Sequence, residues 1–337
     1  MKKFLFIISV LLLIILTACS NSESNLTSEN TTKESTQVEN EELAKVSQVT
    51  NWFAEAEHGG LYAAMNQGYY EDEGLEMTIE SGGPQVSAIQ LVATGQHQFG
   101  MADADQILIA RSEGIPLVAI ATIFQKNPLA LFTHEGDVLN TPTDLSNKTL
   151  YKIPGLPYWE FIKTKFNPEN VNEMTYTGSL SPFMTEKGSA NQGYITSESF
   201  SLEAENFGYE SNLIADFAGY NPYVMTLFTT EDYMNKHPDI VAAYVKASVD
   251  GYNYYKDHSE EINPYIQEFN PDYSLEMFNY SADQSREFIF GGDAETNGMG
   301  YMSGERWKIL KEQLVEAGLL EDSFDETQAF TTEFLPK

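Results

Sequence analysis

Residues Leu61–Asp103 read LYAAMNQGYYEDEGLEMTIESGGPQVSAIQLVATGQHQFGMAD, and the periodicities in this run decide the fold. In LYAAMNQGYYEDEG apolar residues recur at helical spacing and the pattern stops at Gly74. LEMTIESGG then alternates apolar and polar residues, as a strand does, and turns on its glycines. PQVSAIQLVATGQ (Pro84–Gln96) predicts a helix with proline in its first turn, where the missing N–H leaves no bond unmade. HQFGMAD predicts a short strand. Upstream, VSQVTNW (Val46–Trp52) is a strand candidate; downstream come the helix ADQILIARSEG and the β-branched strand IPLVAIATIFQ (Ile115–Gln125). Strand and helix alternating through short loops predict a parallel α/β sheet.

The pattern then begins again. NPLALFTHEGD predicts a further strand, TPTDLSNKTLYKIPG restarts the alternation, and a second α/β unit extends to about Asn221. The segment PYVMTLFTTEDYMNKHPDIVAAYVKASVDGYNYYKDH follows as a strand and a long helix, and the remainder reads as helix. No repeat of fixed period is present.

The N-terminus has a different character. Lys2 and Lys3 precede the apolar run FLFIISVLLLIIL (Phe4–Leu16), which ends in LTACS, the layout of an export signal too short to span a membrane comfortably. LTAC resembles the lipobox of bacterial lipoproteins, which implies a signal over residues 1–18 and a lipid on Cys19, the single cysteine of the chain. Residues 19–45 carry almost no large apolar side chains and predict a flexible tether. One cysteine excludes intrachain disulfides and Cys-ligated zinc. The balance of 19 Lys+Arg against 50 Asp+Glu gives a net charge of −31; without Lys2 and Lys3 it is 17 against 50, or −33. Such a surface repels nucleic acid and anionic lipid headgroups.

From about Val49 to Gln125, through EHGGLYAAMNQGYYEDEGLEMTI and QLVATGQHQFGMADADQILIARSEGIPLVAIATIF, the chain closely resembles the NMT1/THI5-like proteins, related to the SsuA/TauA group. The resemblance continues through QGYITSESF and HPDIVAAYVKASVDGYNYY. It implies a periplasmic-binding-protein type II fold: two α/β lobes joined by two crossovers, with ligand in the cleft. The implied division is 46–134 plus 224–337 for one lobe and 135–223 for the other. The implied role is a solute-binding protein of an ABC importer, working with a permease and its ATPase as a monomer on the outer face of the bacterial cytoplasmic membrane. The implied cargo is a thiamine pyrimidine precursor such as a formylated aminomethylpyrimidine. The alternatives are a riboflavin-like heterocycle, a sulfonate or nitrate with the same machinery, or a divergent surface enzyme.

A cleft at the carboxyl ends of the strands selects the candidate ligand contacts. Trp52 offers a flat face at the end of the first strand candidate, and a core Trp is the competing reading. His58, Gly59 and Tyr62 stand at the start of the first helix, Gly83 in the SGGPQ turn, and Asp103 after the third strand, where it would cap a helix or accept from a ligand amine. Tyr158 and Trp159 of LPYWE follow a second-lobe strand, and at least one of them belongs to the core. Tyr220, Asn221 and Tyr223 stand at the second crossover, as ligand contacts or as hinge and packing residues. By the resemblance, Glu198 is the carboxylate that pairs with an aminopyrimidine edge, although it is followed by Ser199 where the family pattern has proline. The only arginines are Arg111, Arg286 and Arg306, none at a strand-end loop, which argues against a bidentate anion clamp.

Enzyme chemistry finds little support. The synthases among the relatives carry a lysine for pyridoxal phosphate and a histidine donor in the segment that here reads GMADADQ, with Ala102 and Gln106 in those places. No two of the five histidines are spaced as a helical zinc motif. DAETNG (Asp293–Gly298) echoes half of an EF-hand loop, but its twelfth position is Gly304, so a turn is predicted. Neither a cofactor nor a metal is expected.

Overall fold

The computed structural model describes residues 42–337. The signal segment, Cys19 and the predicted tether up to residue 41 lie outside the described residues. Ten strands form two five-stranded sheets: β1 (Ala44–Val49), β2 (Leu75–Glu80), β3 (Phe99–Ala102), β4 (Leu117–Phe124), β5 (Leu129–His134), β6 (Thr149–Lys152), β7 (Asn172–Thr175), β8 (Ala190–Tyr194), β9 (Tyr209–Leu213) and β10 (Val224–Thr230). The first sheet runs β2-β1-β3-β10-β4 and the second β7-β6-β8-β5-β9.

Each sheet is mixed rather than parallel throughout. β1 lies parallel to β2 and β3, but β10 runs antiparallel to both β3 and β4. In the second sheet β6 is parallel to β7 and β8, while β5 is antiparallel to β8 and β9. β5 and β10 are the first strands after the chain crosses between sheets, so each enters its new sheet from the opposite end. β5 therefore belongs to the second sheet, and the first crossing falls at residues 125–128 rather than after residue 134.

Burial follows the sheet geometry. Every residue of β4 is buried, as covering on both faces requires, whereas the edge strand β2 alternates between buried and exposed. Local chemistry moves several predicted boundaries. β1 begins at Ala44 and ends at Val49, so the tether stops short of residue 45 and Trp52 lies in the following loop. The helix expected from Pro84 spans Ala88–Ala93, because Ser87 takes the N-cap position and accepts from the Gln90 amide at 3.3 Å. DAETNG contains a short helix, Asp293–Asn297, rather than a turn.

The Gly59–Gly60 pair has a packing role. An added Cβ at Gly60 would sit 2.1 Å from the Tyr252 ring, and one at Gly59 2.2 Å from the Tyr255 ring. Both tyrosines belong to the long helix Pro238–Gln267, so the two glycines let the helix Gly59–Asn66 press directly against it. This contact fixes the start of the Gly59–Asn66 helix, and with it the loop before that helix.

Candidate functional site

A cavity of about 350 Å³ lies between the two sheets and draws its walls from both. One wall is the loop 50–58, built by a local knot of bonds. The Gly82 amide donates to both Thr50 Oγ1 and Trp52 O at 3.0 Å. A side chain at Gly82 would bring Cβ within 2.2 Å of the Thr50 carbonyl, so only glycine lets the two loops close on each other. The knot presents Asn51, Trp52, Glu55, Glu57 and His58 to the cavity.

Carboxyl groups dominate the electrostatics. Glu55 is pushed well up by burial, then by the neighbouring Glu57 and Glu198 charges, with donors from Tyr273 and Trp52 offsetting part of this. Burial likewise pushes Glu57 up to about 7, against the pull of the Thr196 hydroxyl. That hydroxyl donates to Glu57 Oε1 at 2.8 Å and comes from the turn after β8, so the bond joins the two sides of the cleft. Glu57 Oε2 is buried with no hydrogen-bond partner.

Glu198 is the first residue of the helix Glu198–Ala204, and its carboxylate folds back on its own turn. It accepts from the Tyr194 amide (2.6 Å), Ser197 Oγ (3.0 Å) and Tyr176 OH (2.9 Å). Gly193 makes room for this, since a Cβ there would lie 2.6 Å from Glu198 Cδ. Burial raises its pKa and these donors restrain the rise. Asp103 accepts from the Met225 amide at 3.1 Å, across the start of β10, where Met225 holds the unusual φ of 52°. Burial, then the charge of Asp105, pushes Asp103 up to about 7. His58 is driven down to about 3 by burial and is neutral, its Nε2 3.0 Å from Asn51 Oδ1.

No described lining residue is Lys or Arg. The three arginines are engaged elsewhere: Arg111 with Glu231 (2.7 Å), Arg286 with Asp283 (3.0 Å), and Arg306 over the Tyr223 ring at 3.7 Å. No group of three or more His, Cys, Asp or Glu among the described residues is arranged to hold a metal ion.

Of the candidates chosen from sequence, Trp52, His58, Gly83, Asp103 and Glu198 line the cavity together. The others do not, each for a stated packing reason. Gly59 serves the helix contact described above. Tyr62 is buried against Phe269, ring centroids 4.9 Å apart. Tyr158 reaches the cavity only through Gln192, to whose Oε1 its hydroxyl donates at 2.9 Å. Trp159 is 1% exposed in the core, its indole donating to Glu173 at 2.6 Å. Tyr220 donates to Asp105 (2.7 Å) and Tyr223 to Asp293 (2.7 Å). Asn221 Oδ1 accepts from the Asn127 amide at 2.9 Å and so ties one crossing segment to the other.

The cavity also contains residues that the sequence did not single out. Glu55 and Glu57 sit between Trp52 and His58, both of which were noted, yet carboxylates in so acidic a chain read as surface. Tyr176, Tyr194 and Tyr273 join from three separate segments. Glutamates alternating with alanines in AEAEH are the available signal.

Comparison with known proteins places this geometry. Residues 55–262 match the family model described as NMT1/THI5 like. The riboflavin-binding protein RibY of Chloroflexus aurantiacus is 24% identical, over 100% of this chain and 99% of its own. The formylaminopyrimidine-binding protein of Halalkalibacterium halodurans is 24% identical, over 98% of this chain and 99% of its own. The solved periplasmic aliphatic sulphonate binding protein SsuA of Escherichia coli superposes with a TM-score of 0.65 at 10% identity, covering 87% of this chain and 94% of that one. The fold is thus the two-lobed type II fold of periplasmic binding proteins, with the cavity at the cleft, and the chain belongs to the NMT1/THI5-like family.

Proposed function

We propose that this protein is the solute-binding component of an ABC importer and that its cargo is a small aromatic heterocycle of the aminopyrimidine class. One observation carries the reading: the cleft cavity is lined by Glu55, Glu57, Asp103 and Glu198 and, among the described residues, by no Lys or Arg. Such walls accept hydrogen bonds and positive charge. A sulfonate or nitrate would bring a second negative charge beside buried carboxyls with no cation to receive it. Two relatives whose names state a heterocycle as ligand match this chain from end to end, which supports the same reading.

In this proposal the lobes close on the ligand, Trp52 stacks on its ring, and Glu198 accepts from its amine edge. The contact to Glu198 is single rather than bidentate. A carboxylate has about four lone-pair positions, and protein donors already take both on Oε2 and one on Oε1. Ala102 and Gln106, in the places where the resemblance puts a synthase's lysine and histidine, both line the cavity. Neither can form an imine, so capture without turnover is the activity assigned. The lipid on Cys19 would hold the protein at the outer face of the cytoplasmic membrane, beside its permease and ATPase.

Mass spectrometry of small molecules released on denaturing the purified chain tests the cargo, followed by calorimetry with an aminopyrimidine, riboflavin and ethanesulfonate. The aminopyrimidine is expected to bind and the sulfonate not to. Riboflavin binding alone would change the cargo and keep the role. Tight sulfonate binding without the pyrimidine would overturn the reading.

A further inference from the structure

Glu198 has spent most of its acceptor capacity on protein donors, whereas across the cleft Glu57 keeps one oxygen free and Glu55, with donors from Tyr273 and Trp52, keeps part of its own. Glu57 is 1% exposed and lines the cavity, with Oε1 taken by Thr196 and Oε2 unpartnered. Glu55 is 9% exposed and lines the same wall. Burial raises the proton affinity of both, and the Glu198 charge adds to it on each, as the Glu57 charge does on Glu55. A buried acceptor left without a donor costs free energy, and a charged donor placed there recovers it with the attraction of two carboxyls added.

We infer that Glu55 and Glu57 form a cation subsite for an alkylammonium group on the ligand, so that the preferred cargo is an aminopyrimidine whose side arm ends in a free amine rather than in an acylated one. The inference rests on the aminopyrimidine reading and narrows it. The ring lies between Trp52 and Glu198, the arm points to the loop that carries the acidic pair, and an ammonium there meets the free oxygen of Glu57. Formylation removes the charge and turns the arm into an amide, which offers one donor and brings a carbonyl against two carboxyls. A hydroxymethyl arm offers one donor and no charge.

The test uses three probes with one ring, 4-amino-2-methylpyrimidine, bearing at position 5 an aminomethyl, a hydroxymethyl or a formylaminomethyl arm. Each is titrated by calorimetry at pH 7 into the full chain purified in detergent. The aminomethyl compound is expected to bind at least about tenfold more tightly than either neutral one. In the double variant Glu55→Gln/Glu57→Gln the advantage of the aminomethyl compound over the two neutral ones should shrink to under about threefold. A neutral compound that binds as tightly as the amine to the unmodified protein overturns the inference and leaves the pyrimidine reading standing. An advantage that survives in the double variant overturns it as well. Failure of all three to bind removes both readings.

Discussion

Replacing Glu57 with glutamine should make the ligand-free protein more stable above neutral pH and leave it unchanged in mild acid. Burial lifts the Glu57 carboxyl from its ordinary 4.5 to about 7. A carboxyl with a raised pKa binds its proton more tightly folded than unfolded. Its contribution is fully present below about 4.5 and is lost as the pH rises through about 7. At about 1.4 kcal/mol per tenfold, that gap makes the ionised side chain cost on the order of 3 kcal/mol of folding free energy at pH 8. Glutamine keeps the shape and carries no charge, and it also lifts the repulsion that Glu57 exerts on Glu55. Thermal melts of both proteins at pH 5 and pH 8 measure the difference. The Tm values should agree within a degree or two at pH 5, and the variant should lead by roughly 5–10 °C at pH 8. A variant that tracks the unmodified protein at both values would show that Glu57 is solvated, and the account of a dry carboxyl wall would fail with it.

Three further outcomes follow from the packing. Trp159→Ala should cost roughly 3–5 kcal/mol of stability, as large core truncations do, and leave ligand affinity in the folded fraction intact; Trp52→Ala should do the reverse, losing roughly 1–3 kcal/mol of binding with little change in the ligand-free melt. Equal effects in melts and titrations of the two variants would erase the distinction between core and wall. Glu198→Gln should weaken aminopyrimidine binding in calorimetry and should also loosen the turn that its carboxylate organises with Tyr176, Tyr194 and Ser197; undiminished affinity would take Glu198 out of the site. Cys19→Ser should abolish incorporation of a radiolabelled fatty acid into the protein in cells, and retained label would dismiss the anchor.

How much of this was legible in the sequence depends on the range of the interactions involved. The alternation of β2 and the apolar run of β4 are local, so their periods survive in the letters. The reversal of β5 and β10 is not local: it follows from how the chain enters each sheet after a crossing, and β10 pairs with residues a hundred or more positions earlier. The same limit explains the aromatics. Tyr158, Trp159, Tyr220 and Tyr223 stand near strand ends, as ligand contacts would, yet each finds an acceptor that only the folded chain supplies. Glu55 and Glu57 escaped notice for the opposite reason. Among 50 acidic residues, nothing local marks the few that fold inward.

The same acidity means different things on the surface and in the cleft. The net charge of −31 is spread over the whole chain, and salt at physiological strength screens exposed charges beyond about 8 Å. That charge keeps the protein soluble and biases encounters, but at the depth of the cleft it discriminates little between one solute and another. Glu55 and Glu57 are buried and Asp103 and Glu198 half-buried, and burial raises the pKa of all four, so screening is weaker there than at the surface and pairing matters most. The arginines that could reverse the sign of the site are held in the first lobe by Glu231, Asp283 and Tyr223. On the proposed function, a fold shared with a sulphonate-binding protein carries cargo of the opposite charge preference here. The scaffold fixes where the cleft lies, and on the function proposed above the carboxyls presented by the loop 50–58 and the turn after β8 decide what the cleft accepts.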